Sequence, residues 1–114
     1  MSDPCGWSIG QAARELRARR VSSRELVAAC LKRIERWQPQ INAFVTVEFE
    51  AARAAQPQAG TLAGVPLAHK DMFYRAGRVS NCGSKIRRGW VADATSTALE
   101  RLANAGRCNS ARST

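Results

Sequence analysis

At 114 residues the chain is long enough for one small domain, and its 45% apolar and 24% charged residues are those of a globular protein rather than a disordered tail. No apolar stretch approaches a membrane span, and the start, Met1-Ser-Asp-Pro-Cys-Gly-Trp7, lacks the basic-then-apolar pattern of a secretory signal, so a soluble, cytoplasmic protein is expected. The formal net charge of +9 invites a polyanion reading, but no aromatic residues alternate with the basic ones and no nucleic-acid motif accompanies them, which argues against specific nucleic-acid binding.

In chain order, Ser8-Ile-Gly-Gln11 has the form of a capping box and predicts a helix after Ser8. Ile9, Ala12, Ala13 and Leu16 fall on its apolar face. Ser22-Ser-Arg-Glu25 is a second capping box, opening a helix with the stripe Val27, Cys30, Leu31, Ile34 and Trp37, which Pro39 is expected to end. Two amphipathic helices with a short break suggest a helical hairpin packed on something larger. Ile41–Val47 is rich in β-branched and aromatic residues and predicts a short strand, Glu48–Ala55 a third helix, and Gln56–Gly60 a turn.

Leu62-Ala-Gly-Val-Pro-Leu-Ala-His-Lys-Asp71 predicts a buried strand. Gly64 and Pro66 bound its start, and it delivers Lys70 at its far end. Chemistry often sits at such strand ends, because the sheet holds the last residue rigidly at a loop. Val79–Ser84 is small and polar, as a pocket-lining loop is, and Ile86 and Trp90 are candidate anchors in the basic stretch Lys85–Trp90. Asp93 or Thr95 is the expected cap of a last helix running to Ala105, with Gly106 as its stop. Residues 107–114 have no periodicity and no apolar face. Cys5, Cys30, Cys82 and Cys108 form no C-x-x-C pair and, with the single His69, no zinc spacing, so reduced thiols and no metal site are expected.

Ser22-Ser-Arg-Glu-Leu-Val27, Arg33-Ile34, Ile41-Asn-Ala-Phe-Val45, Leu62-Ala-Gly-Val-Pro66 leading to Lys70-Asp71, Cys82-Gly-Ser84 and the helix from Ser96 to Gly106 follow one another as in a known family. Over residues 8–106 the chain resembles the amino-terminal part of amidase-signature enzymes, which hydrolyse carboxylic amides. The resemblance implies an α/β fold, a mixed sheet flanked by helices, of which this chain holds the first helices and strands and is apparently truncated. It implies catalysis by a serine, a cis-serine and a lysine, with Lys70 at the lysine position, and no cofactor. A lysine acts as a base only when burial or neighbouring charge lowers its pKa well below about 10.4.

No Gly-Gly-Ser-Ser-Gly-Gly run occurs here, so the serines of that machinery are expected beyond residue 114 and no nucleophile role falls on Ser84 or its neighbours. His69 alternates with Lys70 to the opposite strand face and is read as a packing or hydrogen-bonding residue. Residues 1–106 are thus read as part of an amidase domain and 107–114 as a non-family tail. The tail's codons can encode Ala-Leu-Gln-Phe-Gly-Ala-Leu-His in the neighbouring frame, which suggests a frameshift. The expected parent substrate is a small-molecule amide; the chain alone is expected to be inactive, and a complementing fragment in trans is a further expectation. The alternative is a small basic, non-enzymatic binding module for nucleic acid or another polyanion.

Overall fold

The computed structural model describes residues 3–55, 59–106 and 108–113. A 3-10 turn at Pro4–Gly6 precedes helix α1, Ile9–Arg17. Helix α2, Ser23–Ile41, strand β1, Phe44–Val47, and helix α3, Phe49–Ala54, follow. Strand β2 is Pro66–Lys70, helix α4 is Thr97–Asn104, and strand β3 is Cys108–Ser113. The Gln56–Gly60 turn falls partly, and Arg107 and Thr114 fall wholly, outside the described residues.

Both capping boxes read from the sequence start helices. Ser8 Oγ accepts the Gln11 amide at 3.1 Å. At α2 the Ser22 hydroxyl accepts the Glu25 amide at 3.1 Å while the Glu25 carboxylate accepts the Ser22 amide at 2.8 Å. The last helix is capped by Ser96, whose Oγ accepts the Leu99 amide, instead of by Asp93 or Thr95.

Pro39 does not end α2, which runs to Ile41 and stops at Asn42 in the left-handed region, φ 46°. Proline deletes one hydrogen bond and crowds the carbonyl four residues back. Pro39 and Glu35 are both exposed, so that carbonyl faces water, and only two helical residues follow. The chain then turns into β1 because Gln38 clamps Phe44, donating to its carbonyl at 2.7 Å and accepting from its amide at 3.1 Å.

The core lies between α2 and α3, where Val27, Leu31 and Ala52 are buried, with Ile34, Val47 and Phe49 packed against them. The closest main-chain neighbours of α2 are the 3-10 turn, α3 and β2, so α1 and α2 are consecutive helices rather than a long paired hairpin. On α1 the expected face is buried at Ala12 and Ala13, but Ile9 is 65% exposed.

The sheet is mixed and ordered β1-β3-β2, with β3 antiparallel to β1 and parallel to β2. Its central strand is formed by residues without apolar periodicity, because the main-chain ladders to both neighbours depend on backbone groups that every residue here carries. β2 is less buried than its sequence suggests: Ala68 and Lys70 are exposed. An apolar run marks a strand that some layer covers, and the described residues leave these two positions uncovered.

Candidate active site at the end of strand β2

Two contacts place β2. Ser23, in the first turn of α2, donates its hydroxyl to the Gly64 carbonyl at 2.7 Å. From the other side the Leu62 amide donates to Ala105 at 2.8 Å and the Gly64 amide to Gly106 at 3.0 Å. Gly64 takes φ 81°, a backbone region that a Cβ disfavours. The turn entering the strand is therefore gripped between the start of α2 and the end of α4.

At the far end, Lys70 is exposed and its carbonyl accepts the Phe73 amide at 3.0 Å, turning the chain out of the sheet. Asp71 is buried. Its carboxylate Oδ2 accepts the Cys82 amide at 3.1 Å, and its carbonyl accepts the hydroxyl of the buried Ser80. The corner after Lys70 is thereby bolted to the loop that the sequence marked as small and polar. Asp71 is the one acidic residue among six basic ones between Lys70 and Arg88, and that contrast was the signal that could have singled it out.

The loop has its own framework. The Ser80 amide donates to Trp90 at 2.9 Å, the Ala92 amide to Arg78 at 3.0 Å and the Gly77 amide to Ala92 at 2.8 Å, around a Val79–Val91 bridge. The Arg87 guanidinium lies over the rings of Trp90, at 4.2 Å, and Tyr74, at 5.0 Å, a cation–π arrangement. Trp90 is thus an anchor, as expected, but Ile86 is 97% exposed and is not.

Alternation along β2 divides two faces. His69 lines a cleft of about 270 Å³ with Thr46, Glu48, Phe73, Arg75 and Arg78, where Glu48 pairs with Arg75 at 2.9 Å and Arg78 at 3.2 Å. Pro66 and Ala68 line a separate groove of about 490 Å³ against α2, with Cys30, Ile34, Trp37 and Phe44. By the two-residue period Lys70 belongs to the second face. The same period sets His69 opposite the lysine. Ser80 spends its hydroxyl on a backbone carbonyl. Among the described residues no three His, Cys, Asp or Glu side chains are arranged to hold a metal, and no helix is long and apolar enough to cross a membrane.

The amidase family model matches residues 25–112. The chain belongs to the amidase family. It is 40% identical over 108 residues to a glutamyl-tRNA(Gln) amidotransferase subunit from Halorhodospira halophila, covering 87% of this chain and 22% of that protein. The structure of 6-aminohexanoate cyclic dimer hydrolase superposes with a TM-score of 0.86 at 26% identity, over 95% of this chain and 23% of that one. Fatty acid amide hydrolase superposes with a TM-score of 0.87 over all of this chain and 22% of its own, but at 14% identity, a likeness of fold alone. The chain thus spans about a quarter or less of these amidase relatives, and its fold is the corresponding part of theirs.

Proposed function

We propose that residues 1–106 are the amino-terminal part of a cytoplasmic amidase that hydrolyses carboxylic amides of small molecules, with Lys70 as its proton acceptor. The observation that carries this reading is the fixed strand end: in a chain of this family, Lys70 stands where β2 leaves the sheet, and the next residue is bolted down by Ser80 and Cys82. In such a reaction the neutral amine takes, through a cis-serine, the proton of the serine that attacks the amide carbonyl. Water then releases the acyl group. A base at the end of a strand keeps its position without a mobile loop to order.

The two serines are not in these 114 residues, and Lys70 is exposed to water. The chain alone is accordingly inactive, and the remainder of the domain, in cis or as a fragment in trans, supplies the nucleophile and covers the lysine. The groove between α2 and β2 and the uncovered Ala68 are where that remainder packs. The family match runs to residue 112, into the stretch 107–114 that we read as out of frame. Sequencing onward from the codon of Thr114 tests this: a signature-encoding stretch in the neighbouring frame supports it, and none in any frame overturns it.

The activity test compares ammonia release from a panel of small amides by the 114-residue chain, by the same chain completed with a signature-bearing remainder, and by Lys70→Ala in both. Only the completed wild-type chain is expected to turn over. Lys70-dependent release by the short chain, or an active completed Lys70→Ala chain, overturns the proposal.

A further inference from the structure

Cys5 and Cys30 lie 25 residues apart in sequence, yet their sulfurs approach to 3.9 Å, between the amino-terminal 3-10 turn and the middle of α2. A disulfide requires about 2.05 Å between sulfurs, so the pair must close by roughly 1.9 Å. The turn that carries Cys5 is held for it by a second residue. Asp3 accepts the Cys5 amide at 3.0 Å with one oxygen and pairs with Arg33 at 3.4 Å through the other, one helical turn beyond Cys30. Both cysteines are half-buried at the rim of the apolar groove, beside Ile34 and Trp37. Cys82 is held elsewhere, on Asp71 after β2.

We propose that Cys5 and Cys30 are an oxidative modification site, forming a reversible disulfide that staples the amino-terminal turn to α2 at the rim of the groove. With hydrogen peroxide as oxidant, the Cys5 sulfur attacks one peroxide oxygen, the O–O bond breaks, and a sulfenic acid and water result. The Cys30 sulfur then attacks the Cys5 sulfur, the S–O bond breaks, and the departing hydroxide leaves as water with the Cys30 proton. Two thiols and one peroxide become one disulfide and two waters. Burial pushes the Cys30 thiol up to about 12, with the neighbouring Cys5 adding to the shift; with the two roles exchanged the step balances in the same way. In a reducing compartment such a pair stays open until peroxide reaches it.

The test oxidises the full chain with peroxide, natively and in concentrated guanidinium chloride, blocks remaining thiols and maps tryptic peptides without reduction. Natively, the linked pair Met1–Arg14 with Glu25–Lys32 is expected in nearly all of the intramolecularly oxidised chain, and dithiothreitol should separate it. In the denatured chain loop closure alone favours this 25-residue pairing over the longer ones, so the comparison is of strength rather than share: in a glutathione redox buffer the native linked pair should withstand roughly tenfold more reduced glutathione relative to oxidised than the denatured one. Cys5→Ser and Cys30→Ser should each abolish the linked pair, and a Cys82→Ser/Cys108→Ser chain should form it unchanged. The same glutathione ratio at half-formation in native and denatured chains, or no linked pair in the native one, overturns the proposal.

Discussion

The hydroxyl of Ser80 donates to the main-chain carbonyl of Asp71, and the two residues are among the most buried polar groups described, at 2% and 5% exposure. One hydrogen bond thus ties the residue after Lys70 to a loop nine positions on. Removing it leaves a buried carbonyl without that donor, which costs about 1–3 kcal/mol. Ser80→Ala should therefore lower hydrogen-exchange protection of the Cys82 and Ala92 amides while leaving α2 unchanged. Undiminished protection in that loop would show that the corner is held by other means.

The capping box of α2 carries a pH dependence of known sign. Hydrogen bonds from the Ser22 amide and then its hydroxyl hold the Glu25 carboxyl below the usual glutamate range. The folded chain therefore binds that proton more weakly than the unfolded one. The cap's contribution is complete above the ordinary value of about 4.3 and fades as pH falls through the lower folded value. Glu25→Gln should lose this component, so the wild-type-minus-variant difference in helical ellipticity should shrink on acidification. A pH-independent difference would refute the assignment.

Gly60 takes φ 153°, and a Cβ there would lie 2.3 Å from the Ala105 carbonyl oxygen. Gly60→Ala should push the turn off the end of α4 and break the bonds from Leu62 and Gly64 that start β2, exposing both amides to rapid exchange. Gly77→Ala is the contrast. It has open space around its Cβ at φ 76°, so only left-handed strain of about 1–2 kcal/mol follows, confined to its own loop.

Large apolar side chains stand in solvent, among them Ile9 at 65%, Ile41 at 62%, Met72 at 56% and Ile86 at 97% exposure. The isolated chain should bind a hydrophobic dye and lose its helical signal over a broad thermal range. A sharp, dye-free transition would mean that it satisfies its own surface.

The helices were readable because capping and 3.6-residue periodicity are local. Ser8, Ser22 and Glu25 make the bonds that their spacing announced. Pro39 misled, since whether a proline ends a helix depends on where the freed carbonyl points. β2 was found by its breakers, and Lys70 is its last residue, as the sequence predicted. Its burial was misjudged, because an apolar run reports what eventually covers a strand, and the described residues do not supply that cover. Asp71, Ser80 and the Cys5–Cys30 approach join residues far apart in sequence, and no periodic pattern encodes such meetings.

The strand order β1-β3-β2 has a consequence for synthesis. β1 and β2 are made early yet, among the described residues, pair only through β3, so both wait on the ribosome with unpaired backbone edges until residue 113 is available. Helix α2 with α3 can collapse long before that. A nascent chain halted before β3 would therefore carry a formed helical half and two orphan strands, open to any third strand that reaches them first.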